Sequence, residues 1–209
     1  YSDVDALVEW VGTEQAESAG GQTTVLKPAL NPTMLFPFAA PRVMGSLADA
    51  GPAAEMQMRL LLWSVERLVA GLSQIGADTD VAHRLHVVLP GSPNRGRFGG
   101  DGAYGESKAA LDAVVTRWNA EEVWGSRTSL VHAHIGWVRG TGLMGGNDPL
   151  VDAVEAKGVR TYATEEMAEL LLEQSTPEAR AKAAEQPITV DLTGGLGDVD
   201  LNMSKLAEE

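Results

Sequence analysis

Ser92-Pro-Asn-Arg-Gly-Arg-Phe-Gly-Gly-Asp-Gly-Ala-Tyr104-Gly-Glu-Ser-Lys108 is the stretch on which the reading of this chain turns. Tyr104 and Lys108 are four residues apart, and helix formers follow at Ala109, Ala110, Leu111, Ala113 and Val115. On a helix, positions i and i+4 lie one above the other on the same face. A phenol thus sits beside an ammonium. The positive charge favours the phenolate, so Tyr104 is expected to titrate below the usual value of about 10. A phenol tuned toward neutrality can hand its proton to a substrate oxygen. Ser92 closes the apolar run Leu85-His86-Val87-Val88-Leu89, and strand ends are where an α/β sheet presents its chemistry.

Around this stretch, strand and helix patterns alternate. A helix is expected over residues 3–17, capped by Asp3, with Val4, Leu7, Val8 and Val11 on one face. Residues 18–22 are a Gly-rich break, and Val25-Leu26 is a strand candidate ended by Pro28 and Pro32. Met34-Leu35-Phe36 reads as a short buried strand, and residues 38–51 as a loop. The longest helix opens at Pro52 or Ala53 and stops at Gly76, with Met56, Leu60, Leu61, Trp63, Leu68, Val69 and Leu72 on its apolar face. Next come a strand over 84–89, a helix over 103–121 and a nearly continuous apolar strand over 128–138. Short helices are predicted at 149–157 and 165–172, a last strand at 188–192, and a loose helical tail from 198. This alternation predicts an α/β fold with a doubly wound, Rossmann-like parallel sheet.

The 209 residues, 44% of them hydrophobic, suffice for one core and one domain. There is no cysteine, which excludes disulfides, and nothing argues for secretion, so a cytoplasmic location is expected. No apolar run approaches the roughly 20 residues needed to cross a bilayer. A formal net charge of −13 speaks against nucleic-acid and anionic-membrane partners. His83, His86, His132 and His134 lack a metal-ligand spacing, so no metal is expected. On a strand, His132 and His134 face the same side and fit a core role.

Ser92 followed by Tyr104-x-x-x-Lys108 matches the signature of the short-chain dehydrogenase/reductase superfamily. The longer wording of residues 92–96, 98–108 and 136–144 (Gly-Trp-Val-Arg-Gly-Thr-Gly-Leu-Met) resembles the ketoreductase domain of actinobacterial and fungal type I fatty acid synthases. The resemblance runs from about residue 32 to residue 195. It implies reduction of a 3-oxoacyl chain on the phosphopantetheine arm of acyl carrier protein, with hydride from NADPH. By the same resemblance Tyr104 donates the proton, Lys108 holds the nicotinamide ribose hydroxyls and lowers the tyrosine pKa, and Ser92 binds the carbonyl oxygen. Phe38, Ala39 and Ala40 would lie near the adenosine half of the cofactor, with Gly136 and Thr141 near the nicotinamide. Arg95, Arg97 and Arg139 are candidates for the phosphopantetheine phosphate or the carrier protein.

The family's Gly-rich phosphate loop has no counterpart before Ser92. The one formal Gly-x-Gly-x-x-Gly, at residues 140–145, comes after the catalytic helix. The expectation is therefore the C-terminal two-thirds of a single ketoreductase domain (residues 1–209), cut from a multienzyme and inactive alone. Its partners would be the synthase's other domains and an oligomer mate or companion chain covering the sheet edge at residues 34–36. Many superfamily members carry an Asn on the long helix. Here Ser64 stands near that position, and a mid-helix Ser bonded to its own backbone is the simpler expectation. Two rival readings are a reductase of free small ketones or alcohols and a non-catalytic assembly element.

Overall fold

A run as apolar as Leu85-His86-Val87-Val88-Leu89 belongs inside a sheet covered on both faces. In the computed structural model, which describes residues 1–143, 145–199 and 201, every residue of this strand is buried. In chain order the first elements are α1 (Ser2–Gly12), β1 (Gln15–Ala19), β2 (Gln22–Lys27) and β3 (Met34–Leu35). The long helix follows as α2 (Pro52–Met58), a π-helical turn (Arg59–Trp63) and α3 (Ser64–Gln74). Then come β4 (Leu85–Gly91), α4 (Tyr104–Ala120), α5 (Glu122–Gly125) and β5 (Thr128–Ile135). After α6 (Val151–Glu155), α7 (Thr164–Glu173) and α8 (Pro177–Glu185), the chain ends its sheet with β6 (Ile188–Leu192).

The main sheet runs β3-β4-β5-β6, and all three pairings are parallel. Alternation along the strands sends Val87, Leu89 and Leu130 to one face, where they pack with Leu62, Val65, Val69, Leu111 and Val114 of the long helix and α4. Val88, Val131 and Ala133 point the other way, onto Met167, Leu171 and Ala183 of α7 and α8. The sheet is therefore doubly covered, as expected. Because the strands are parallel, their carboxyl ends share one edge, and that edge carries Ser92.

Three local expectations give way, and one helix goes unanticipated. The N-terminal helix stops at Gly12 instead of residue 17, and residues 15–27 fold back as an antiparallel hairpin. Gly20 and Gly21 both take positive φ (60° and 81°), which a tight two-residue hairpin turn requires. Lys27 Nζ donates to the carbonyls of Val11 and Thr13, at 3.2 and 2.8 Å, so the hairpin caps the end of α1. The strand expected to be buried at residues 34–36 is a two-residue edge strand with Met34 46% exposed. The π turn adds a residue to the long helix and rotates α2 against α3. Met56 is thereby 56% exposed and Gln57 lies inside at 2%. The unanticipated helix, α8, is alanine-rich, starts with Pro177 and a Thr176 cap, and lacks the apolar stripe that marks an amphipathic helix. The loose helix expected from residue 198 falls largely outside the described residues.

Gly136 follows β5 directly. Its N–H donates to Leu192 O at 3.0 Å, and a Cβ there would stand 2.3 Å from Thr193 O. Two backbones meet at this point with no room for a side chain. The residue that the resemblance sets near the nicotinamide therefore has a packing constraint of its own. Gly136→Ala is expected to lower stability by about 1–3 kcal/mol, read from the midpoint of urea unfolding at unchanged slope. An unchanged midpoint would mean that the strand ends separate freely.

Candidate active site

The site grows from the carboxyl end of β4 and the first turns of α4. Ser92, Tyr104 and Lys108 are all buried, at 7, 9 and 5% exposure. The spacing of Tyr104 and Lys108 does set them on one helix face, with Lys108 Nζ 5.4 Å from the centre of the tyrosine ring. Lys108 Nζ donates to Pro90 O at 2.6 Å, which locks the ammonium against the end of β4.

The loop between strand and helix is tied down by side chains that sequence reasoning passed over. The N–H of Asn94 donates to Ser92 Oγ at 3.1 Å. Asn94 Nδ2 donates to Asp101 Oδ2 at 2.9 Å, and the same oxygen accepts the N–H of Gly105 at 3.2 Å. Asp101 thus satisfies a free donor in the first turn of α4 and complements its dipole. On the other side, Gln57 Oε1 accepts the N–H of Ala103 at 2.6 Å, and Gln57 Nε2 donates to Met44 O at 3.3 Å. Gly45 and the 100–102 segment exchange backbone hydrogen bonds of 3.1 and 2.9 Å. An Asp just ahead of a helix start is a recognisable signal, so Asp101 could have been found. Gln57 could not, because its inward orientation depends on the π turn.

The electrostatics correct the expected tyrosine shift. Burial raises the Tyr104 phenol above its ordinary value. The Ser92 hydroxyl pulls it down and the Asp101 charge pushes it up further. The ammonium meant to lower it is itself desolvated, and burial takes Lys108 from 10.5 to about 8. Both groups lose water, and for each the burial cost outweighs the neighbour. Tyr104 is therefore a neutral phenol that keeps its proton until a strongly basic oxygen arrives.

Phe38, Ala39 and Ala40 are exposed just beyond β3, on the same edge of the sheet as Ser92. Thr141 Oγ1 donates to Val138 O at 3.1 Å, in the loop past β5. The three arginines do not form a free cluster. Arg95 makes a bidentate ion pair with Asp112 and Arg139 is held by Thr161 and Glu155, while Arg97 is exposed. Ser64 Oγ donates to Leu60 O at 2.6 Å, the backbone-bonded state expected of it. His86 is a satisfied core residue, bonded to Ser129 Oγ and Gln174 O. His132, His134 and Asp112 bring ligand atoms within 4.8 Å of one another, a grouping not visible in the spacing. The cation within that group is the Arg95 guanidinium, which touches both Asp112 and His134.

The donors at this edge fit the ribose hydroxyls of a dinucleotide. An ammonium has three donors, and among the described residues Lys108 spends one, on Pro90 O. Ribose hydroxyls reaching the edge beside Ser92 would take the others.

Lys108 has a measurable cost. Its folded pKa of about 8 lies below the usual 10.5, so the unfolded chain binds the proton more tightly and stability rises with pH between those values. Lys108→Met is expected to stabilise the chain at pH 7 by up to about 3 kcal/mol and to flatten that rise. Denaturant unfolding at pH 7 and pH 10 checks it. A loss of stability at pH 7 would reveal an anionic partner for the lysine.

No family model matches the chain. The chain is 38% identical over 200 residues to the fatty acid synthase subunit alpha of Candida albicans, covering 95% of this chain and 10% of that protein. The corresponding subunit of Saccharomyces cerevisiae is 36% identical over 196 residues, covering 93% of this chain and 10% of the subunit. The chain thus spans about a tenth of the length of the curated relatives it matches. Among solved structures, a short chain dehydrogenase/reductase family protein superposes with a TM-score of 0.64 at 20% identity, over 95% of this chain and 73% of that one. A putative betaketoacyl-ACP reductase gives 0.63 at 19%, over 95% and 74%. By sequence the chain is similar to a segment, about a tenth in length, of the fungal fatty acid synthase α subunits, and its fold is that of the solved short-chain dehydrogenase/reductase structures.

Proposed function

We propose that this chain carries the catalytic residues of an NADPH-dependent 3-oxoacyl-[acyl-carrier-protein] reductase within a larger fatty acid synthase. The observation that carries the reading is the buried trio Ser92, Tyr104 and Lys108 at the carboxyl edge of a parallel sheet. The likeness to fatty acid synthase α subunits supports the substrate class.

NADPH, when bound, supplies the hydride that makes the carbonyl carbon tetrahedral. Ser92 Oγ donates a hydrogen bond to the carbonyl oxygen and fixes its approach. Tyr104 gives its proton to that oxygen as negative charge develops on it. Charged Lys108 would hold the nicotinamide ribose hydroxyls with its spare donors. The partners on this reading are acyl carrier protein and the synthase's other domains, in the cytoplasm. A neighbouring segment or a second copy covers the β3 edge, where Met34 is half-exposed.

Two measurements on the full-length protein test the reading. Tyr104→Phe is expected to lower kcat with a 3-oxoacyl thioester by about 10²–10⁴-fold while NADPH affinity holds. A variant that keeps its rate, or a parent that reduces only free ketones, would sink it. kcat/KM reports the free enzyme, so its alkaline limb should fall as pH rises through about 8, where Lys108 loses its charge. A flat profile up to pH 9 would remove Lys108 from cofactor binding.

A further inference from the structure

Ser92 sits on a loop whose glycines at 96, 99, 100 and 102 all take positive φ. Such a segment does not hold a hydroxyl in place by backbone preference alone. We infer that Arg95 and Asp112 are a positioning pair that sets Ser92 against Tyr104 by clamping the serine loop onto the catalytic helix. The inference rests on the reading of Ser92 and Tyr104 as partners in one reaction, and it assigns Arg95 a role other than substrate binding.

Three contacts build the clamp. Asn94, two residues past Ser92, is held by Asp101 at 2.9 Å. The backbone at residues 95–96 then crosses the first turn of α4 over Gly105, so closely that a Cβ on Gly105 would lie 2.1 Å from Gly96 N. From that crossing the Arg95 side chain reaches along the helix to Asp112, with Nη1 on Oδ2 and Nη2 on Oδ1 at 3.0 Å. Nη2 also lies 3.1 Å from His134 Nε2 on β5. His134 is held in its neutral form by burial and by the Arg95 charge, so that nitrogen accepts.

Tyr104, Lys108 and Asp112 follow one another at i, i+4 and i+8, on a single stripe of α4. The stripe therefore carries the proton donor, the cofactor lysine and the anchor for the serine loop. A fork of guanidinium donors suits this task, since it fixes direction as well as distance. Both side chains are partly exposed, at 37 and 45%, so the ion pair adds little net stability. Its effect is on geometry, and a misplacement of about 1 Å at a reacting group costs up to about 100-fold in rate.

The test uses Arg95→Gln, Asp112→Asn, the double variant, and each of them combined with Ser92→Ala, in the full-length protein with a 3-oxoacyl thioester and NADPH. Each single variant should lose about 10- to 100-fold in kcat with KM for NADPH unchanged, and the double variant should be no worse. Arg95→Lys should recover only part of the rate, because one ammonium cannot span both carboxylate oxygens. In the Ser92→Ala background the losses should vanish, while the unfolding midpoint stays put throughout. Full activity in the single variants, undiminished losses without Ser92, or losses that follow the unfolding midpoint would overturn the assignment. Should Ser92→Ala itself keep full activity, the catalytic reading fails first. A crystal structure of Arg95→Gln then decides the clamp: a displaced serine loop upholds it, and an unmoved one ends it.

Discussion

A charged lysine held almost out of reach of water, against the end of an interior strand, sets the terms for everything around it. Lys108 is 5% exposed, and burial alone takes its pKa down to about 8. A group in that state survives only where its donors are met. One goes to Pro90 O. Pro90 brings no N–H to the sheet, and its carbonyl is turned to the ammonium instead. On the proposed reading, ribose hydroxyls would meet the remaining donors. The same burial keeps Tyr104 protonated. The two shifts are thus products of one condition, the exclusion of water from the junction of β4 and α4.

That junction was legible in the sequence because it depends on short-range pattern. The apolar run before Ser92 and the four-residue step from Tyr104 to Lys108 each imply a geometry that tertiary packing has no reason to override. The sign of the tyrosine shift was not legible. It depends on how deeply both groups are buried, and depth is a property of the helices laid over them. Met56 and Gln57 show the same limit. Simple periodicity turns Met56 inward, while the π turn exposes it and brings in Gln57, whose amide then fastens the approach to Tyr104. A single extra residue in a helix moves a polar group into the core without altering the composition of the stretch.

Arg95 illustrates a different gap. Its nearness to Ser92 in the chain suggests a contact with substrate, yet its partner is Asp112, beyond the tyrosine and lysine on the next helix. Charges find partners across the fold, and local spacing does not reveal which. The glycines tell more once the structure is known. Gly102 has no room for a Cβ because Gln57 Oε1 would stand 2.5 Å away, and Gly105 has none because the serine loop lies across it. The glycine-rich approach is thus crowded where it meets α4, at Gly102 and Gly105, while Gly96, Gly99 and Gly100 stand in open space and serve its positive-φ turns.

Asp101 brings these strands of argument together. Its negative charge raises the pKa of the phenol that gives up a proton in the proposed reaction, which counts against a carboxylate here. It stays because it does two structural jobs with one oxygen, accepting from Gly105 N at the head of α4 and from Asn94 in the serine loop. A neutral replacement would relieve the phenol and loosen the geometry that brings Ser92 to it. Proton transfer gains from a somewhat lower pKa only in proportion to the driving force, whereas a displaced oxygen partner loses rate steeply with distance. On those magnitudes position outweighs acidity, and on the proposed reaction this accounts for a carboxylate beside Tyr104.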